Sequence, residues 1–585
     1  MKKILVVCVL LGLAWMETAQ AVTTYTWTNA GTGAGQYYAN AANWDVGVPN
    51  SNADNVIINN GGRMDFGQTG TYTIGQFNCL VGEIGGWYSG TPNGTPTTLI
   101  VDGSNGLTGD FYVNPSGYSS GYQTNAVIDL TGNFTLGTGT IAYGMSAIMR
   151  GADKDFKVTD GAGYWMNKVE VYGGARDAGS NYGQGGHINL LKVKSTGSIL
   201  SGNWAVHRLI VDPGGKIEGG RIQFIARGNM DNTDISGGKL VLPGGITFGG
   251  DVGMGTQYNG TVDSPLFVWK MDGGGDLKVR GSLAVGHDPN YGEPWYKTYT
   301  VLDLRDNGTG TPRNATILGG LSLSPGPTHV GQSLGYDRNG LLKCSTGVST
   351  ITVGGMVNFG GTNDYSRTDP NYTFPHGSAD FGNVTMRVGG DWLVVRSPTR
   401  STSEYVYQNW NPGTSTIIFD GNGTTNTQTV YTDEMPFNNV TVNTQGTVQL
   451  SNDDRDNWFV RGNLVIECGT FDQNGRLITF NGPAHLLKDS VGGGFDCISL
   501  LAGAIVNLGS NITMDNIDMG AGSDLYLNGF TLMTDGMTYD GMLAQTWQKD
   551  GGTIYGMAEI PEPATLLLMG TGALGALGYM RRRHK

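Results

Sequence analysis

Cysteine is scarce in this chain. Its 585 residues include five, and Cys8 lies inside an N-terminal apolar run, which leaves Cys79, Cys344, Cys468 and Cys497. These four form no CxxC pair and sit beside no histidine cluster, which excludes a zinc knuckle or ribbon. Four cysteines allow three full pairings, and spacing chooses none of them. Cys468 and Cys497 are near enough in sequence to meet on adjoining repeats, but buried single thiols are the expected state. Histidine is scarce too. His187, His207, His287, His329, His376 and His485 are scattered without ligand spacing. HExxH, G-x-S-x-G, the Walker loop and the EF-hand loop are all missing. No catalytic residue, metal or cofactor is therefore expected. The carboxylates Asp453, Asp454 and Asp456 could gather a calcium ion, but they read first as a solvated acidic loop. The run Asp272 to Asp276 lacks the nonapeptide calcium repeat and reads as a turn.

Charge is also sparse. Charged residues make up 15% of the chain, with 49 acidic against 36 basic and a net charge of −13. Six of the basic residues crowd into the two ends, so the stretch between is more acidic still. Such a surface repels a phosphate backbone, and nucleic acid is excluded as a partner.

What the chain has in abundance is glycine, 97 residues of it, together with 10% aromatics. No Gly-X-Y period accompanies the glycine, so the chain is not collagen-like. The aromatic and β-branched content argues for a packed core rather than disorder. Short apolar runs alternate with Gly, Asn, Asp, Thr and Ser, the pattern of an all-β protein with many turns.

The two ends are organised differently from the middle. Residues 1–21 read as a signal peptide: Lys2 and Lys3, an apolar run from Ile4 to Leu13, and a cleavage site at Ala19-Gln20-Ala21. Residues 564–580 form an apolar span just long enough for a transmembrane helix. Pro561 and Pro563 stop that helix from extending backward. Arg581, Arg582, Arg583 and Lys585 follow it and keep the C-terminus cytoplasmic, with the bulk of the chain outside. The signal peptide demands the same orientation.

Ile560, the Pro561-Glu562-Pro563 motif, the apolar span and the triple arginine resemble the PEP-CTERM sorting tail of Gram-negative bacteria. That resemblance implies an exosortase-type enzyme as partner, with Pro561, Glu562 and Pro563 as the motif it reads. It also implies transient residence in the inner membrane, then delivery to the envelope or an extracellular matrix, with exopolysaccharide as a companion. It covers residues 560–585, and it gives an address rather than an activity.

The middle carries a short recurring pattern in which a glycine precedes an alternating apolar run. Copies occur at Gly132, Gly244, Gly281, Gly319, Gly355, Gly390 and Gly462. From Gly244 to Gly390 the step is about 36 residues, within the range of repeat architectures. Strands this short cannot bury an apolar side alone, whereas stacking one repeat on the next buries a continuous core. The fold class expected is all-β, a parallel and right-handed β-helix or solenoid, with a propeller as the fallback. The divisions expected are an entry segment at 22–60, a solenoid at 61–545 and a linker at 546–559 before the tail. In "VRGNLVI", Val460, Leu464 and Ile466 should face inward and Val465 outward.

Two stretches carry a further resemblance. Trp27, Asn43, Trp44, Pro49 and Asp54 fall in the order seen at the start of autotransporter-associated and other bacterial β-helix surface proteins. Ser415 to Gly475 resembles an exported repeat of the same kind. Both imply architecture only, the tryptophan-rich entry serving as a cap. The expected role is structural or adhesive. The alternative is a carbohydrate-active β-helix enzyme, a lyase or hydrolase, with Gly85 to Tyr88 and Gly292 to Tyr299 presenting aromatic faces to sugar.

Overall fold

The structure is a computed structural model. It describes residues 21–28, 38 and most of 40–555, apart from internal stretches of which the longest are 86–97, 114–125, 178–186, 228–238, 258–265, 286–297, 305–313, 324–337, 360–377, 395–409 and 540–550. Residues 1–20 of the stretch read as a signal peptide, and the apolar span 564–580, lie outside the described residues. Among the described residues no helix is long and apolar enough to cross a membrane. The regular structure is β throughout, with brief 3-10 turns, and the described strand ladders are parallel. Two compact units divide the chain, Met1–Gly413 and Thr414–Lys585.

The first unit opens on an aromatic knot. Thr23–Thr26 pairs with Asp54–Ile58, and Trp27 makes an isolated antiparallel bridge to Trp44. The two indoles meet edge-on with ring centroids 5.0 Å apart, and both are buried. The Trp44 indole N–H donates to Tyr38 O at 2.8 Å, and the Tyr38 hydroxyl donates to Pro49 O at 2.9 Å. Asn43 is buried beside them. One Asp54 carboxylate oxygen accepts the amides of Asn50 and Ser51. The residues that marked the entry in the sequence are thus brought together over the first strands.

Beyond the knot, each strand pairs with its counterpart one chain repeat later. Phe77, Phe111, Phe134 and Phe156 are successive partners on one inward column. Their rings stack at 4.8, 5.4 and 5.0 Å between centroids. All four are buried, and each contributes on the order of 2 kcal/mol by leaving water.

Further along the unit, each repeat supplies three strands to three ladders. The first ladder joins Leu277–Val279, Ala315–Ile317, Ser349–Val353 and Val384–Val388. The second joins Leu283–Val285, Leu321–Ser322, Val357–Asn358 and Trp392–Leu393. The third joins Thr298–Asp303, Arg338–Lys343, Ser378–Asp380 and Trp410–Asn411. A glycine step links the first strand to the second. The Gly319 amide donates to Gly281 O, that of Gly355 to Gly319 O, and that of Gly390 to Gly355 O, all at 2.9 to 3.0 Å. A Cβ on Gly390 would lie 2.7 Å from the Gly355 carbonyl carbon, so the column requires residues without side chains.

The repeat of about 36 residues therefore holds over Gly281, Gly319, Gly355 and Gly390. It does not hold at the other three glycines. Ile246–Phe248, which follows Gly244, pairs with Leu277–Val279 and so belongs to the first ladder rather than the second. Gly132 and Gly462 begin strands in shorter repeats, where Phe134 pairs with Phe156 and Leu464 with Leu487. A glycine step can open a strand in a repeat of any length. Connections vary because lengthening a surface loop costs little closure entropy.

The second unit stacks two ladders of short repeats. One runs through Thr416–Phe419, Asn439–Leu450, Leu464–Asp472, His485–Asp489, Ile505–Leu508 and Asp524–Tyr526. The other runs from Pro436–Phe437 through Trp458–Val460, Leu477–Phe480, Phe495–Leu500, Ile512–Met519 and Thr531–Tyr539 to Thr553–Tyr555. Inward residues alternate as expected: Val460, Leu464 and Ile466 are buried while Val465 is not. Asn474 and Gly475 take left-handed φ of 53° and 69°, a turn that asparagine tolerates and glycine, lacking a Cβ, adopts freely. Cys468-Gly469 does not end its strand. Leu464–Asp472 runs through it with a shift of register and Gly469 at φ 86°. Asparagines tie the corners. Asn439 Oδ1 accepts the Asn463 amide at 2.9 Å, and Asn463 Oδ1 accepts that of Leu486 at 2.8 Å. These bonds satisfy amides at the corner between ladders.

Candidate functional site

Among the described residues of the first unit, a polar cluster gathers just past the ends of strands that pair as Met149, Val171, Val193 and Val211, with Asp129 reaching it from within the neighbouring strand Val127–Leu130. Arg150 grips the Asp129 carboxylate through Nε at 2.6 Å and Nη2 at 2.7 Å. Its guanidinium lies over Tyr172, 4.7 Å from the ring centroid. Lys194 Nζ approaches the same ring at 5.7 Å and pairs with Asp212 at 2.6 Å. The hydrogen bond to Asp129 raises the Arg150 pKa, and that to Asp212 raises the pKa of Lys194. Asp129, Arg150, Tyr172, Lys194 and Asp212 thus form one self-neutralised ladder across five repeats. Each cation already has a carboxylate, so the ladder stabilises stacking and offers no unengaged acid and base. Nothing in the sequence singled these residues out, because they sit about 20 residues apart and align only once the short repeat is known.

Cys344 is buried as a small apolar group would be, while the Cys468 thiol donates to Thr444 O at 2.9 Å. All four cysteines are free. Cys79 and Cys344 are buried, and Cys468 and Cys497 are half-buried. Cys468 lies on the ladder of Leu464–Asp472 and Cys497 on that of Phe495–Leu500, so the two do not meet. Burial pushes the Cys344 thiol far up, and the charges of Asp380 and Asp303 push it further. A thiol held protonated is a poor nucleophile.

His485 is the one histidine of the six whose side chain is described. It is buried, with Nδ1 2.6 Å from Gly462 O and Nε2 3.0 Å from Gly482 O. It fastens two turns together and faces no open surface. Asp453, Asp454 and Asp456 lie outside the described residues, as do Trp87, Tyr88 and the stretch 286–297. Among the described residues no group of three or more His, Cys, Asp or Glu could hold a metal ion.

At the cleavage site expected from the sequence, Ala21 is exposed at the start of the described chain, and Ala19 before it lies outside the described residues. At the other end, the stretch read as a linker at 546–559 carries a strand, Thr553–Tyr555. Three residues are too few to show an alternation, which is why the sequence concealed it. Pro561, Glu562, Pro563 and the basic residues Arg581, Arg582, Arg583 and Lys585 lie outside the described residues.

Comparison with known proteins speaks to this tail. The PEP-CTERM protein-sorting motif matches residues 559–583. No curated protein and no solved structure matches the chain. A motif of this kind marks an exported protein that an exosortase-type enzyme sorts to the envelope. The candidate functional site of the chain is therefore its tail, and the match covers the tail alone.

Proposed function

We propose that this protein is made for the outside of the cell, where its body serves as a structural or adhesive element. The sorting motif at residues 559–583 is the observation that carries this reading. The signal peptide 1–21 starts export with cleavage after Ala21. The apolar span 564–580 then holds the chain in the inner membrane, with Arg581, Arg582, Arg583 and Lys585 on the cytoplasmic side. The exosortase-type enzyme reads Pro561, Glu562 and Pro563 and frees the body to the envelope or an extracellular matrix. Exopolysaccharide is the proposed companion there.

The body suits a passive role. Its described strands stack in parallel ladders, which supports a β-solenoid, and the handedness rule for parallel crossovers makes a right-handed winding the expectation. The charged cluster described above is internally paired. The catalytic alternative, a carbohydrate-active enzyme, is supported by analogy of fold alone.

The test is Glu562→Ala in the producing cell, followed by fractionation. Full-length Glu562→Ala should accumulate in the membrane while the unchanged protein is released. Equal release of both forms would refute the reading.

A further inference from the structure

His485 opens the strand His485–Asp489 of the second unit, and only 2% of it is exposed. Its position pairs with Val506, and the Phe480 ring lies 5.1 Å from the imidazole. Nδ1 is 2.6 Å from Gly462 O, at the corner of the preceding repeat. Nε2 is 3.0 Å from Gly482 O, in the turn that leads into the strand. Gly482 O also accepts the amide of Ile505, in the following repeat, at 3.2 Å. The ring thus sits between two backbone carbonyls that link three successive repeats.

A carbonyl oxygen only accepts, so both nitrogens have to donate. A neutral imidazole has one N–H and one lone pair. Whichever tautomer forms, one of the two contacts then sets a lone pair against a carbonyl oxygen. The imidazolium has two N–H groups and satisfies both. Turning the ring over does not resolve the conflict. It would put a carbon 2.6 Å from Gly462 O, where a C–H···O contact needs about 3.3 to 3.6 Å.

The charged groups on the surrounding elements are engaged elsewhere. Among the described residues no carboxylate bonds to the ring. Lys488, on the same strand, pairs with Glu467 of the strand before. Asp489 accepts the amides of Val491, Gly492 and Gly494. Arg461, next to Gly462, is exposed, and Arg476, ahead of Leu477–Phe480, turns to Asn474 O. Ile505–Leu508 carries no charge. We propose that His485 is a pH-sensitive clasp. With both nitrogens protonated it ties the corner at Gly462 to the turn at Gly482, and on losing one proton it lets go of one of them. The sign follows from the bonds. They stabilise the second unit on the acid side of the imidazole range, which for an ordinary histidine centres at about pH 6.5. That stabilisation is lost as pH rises through the range. The inference does not depend on the sorting reading.

The unchanged full chain is the first test. Exchange of the imidazole Cε1 hydrogen, followed by mass spectrometry of the peptide that holds His485, reads the protonation of that ring. Amide exchange at Leu486 and Ile505, corrected for the intrinsic effect of pH, reads the clasp, since these amides are held by Asn463 Oδ1 and Gly482 O. From about pH 5 to about pH 8.5 the ring should titrate, and the amide protection should fall at least about threefold along the same curve. A ring that keeps one protonation state over this range would overturn the proposal. So would a ring that titrates while the protection stays level. His485→Gln has one donor group in place of two and should flatten the curve of protection against pH. A curve that stays as steep in His485→Gln would place the effect elsewhere and overturn the proposal too. If His485→Gln does not fold, the two measurements on the unchanged chain decide alone.

Discussion

Leu464 and Val465 are adjacent in the chain, yet the fold treats them oppositely. Leu464 is fully buried on the column Val440, Leu464, Leu487, whereas Val465 lies between Thr441 and Lys488 on the outer face. An aspartate at 464 would be an unpaired carboxylate in the core, which costs at least about 4 kcal/mol. An aspartate at 465 would stand beside Lys488 and should cost under about 1 kcal/mol. Urea denaturation of Leu464→Asp and Val465→Asp checks the pair, and equal losses would contradict the inward and outward assignment. The cysteines allow a second residue-scale prediction. In the folded protein Cys344 and Cys79 should resist alkylation by iodoacetamide while half-buried Cys468 reacts. Rapid labelling of Cys344 would contradict its raised pKa and burial.

The glycine column shows what holds one repeat on the next and how far the sequence revealed it. Gly281, Gly319, Gly355 and Gly390 each bring backbone against backbone, and a side chain at Gly390 would press on Gly355 and Met356 N at 2.7 Å. Gly390→Val should therefore push adjacent repeats apart and cost about 1 to 3 kcal/mol. Because each repeat touches mainly its neighbours, the damage should be local. Limited proteolysis should cut the variant around residues 355–390 before it cuts near Phe134, and simultaneous digestion throughout would contradict a stacked architecture. The four glycines and their step were visible in the sequence, because a repeated steric demand leaves a repeated residue. Gly244 misled, because a glycine also precedes a strand of the neighbouring ladder. The shorter repeats were hidden by connections of unequal length. The column Arg150, Tyr172, Lys194 and Asp212 uses unlike residues at equivalent positions, with Asp129 reaching it from inside its strand, so no pattern search finds it. The strand Thr553–Tyr555 was lost for the opposite reason, being too short to have a period.

For the whole molecule, the ends decide more than the middle. The tail was legible because its components are contiguous and each carries a plain physical expectation: prolines to stop a helix, an apolar span of membrane length, and cations to hold one side of a membrane. The matched motif at 559–583 agrees with that reading. The body, acidic and parallel-stranded, states an architecture, and its role follows from where the tail sends it. The intact mass and terminal peptides of the protein released by the producing cell test this most directly. The account predicts a chain that begins at Val22 and lacks Ala564 to Lys585. A released chain still carrying Arg581, Arg582 and Arg583 would contradict it.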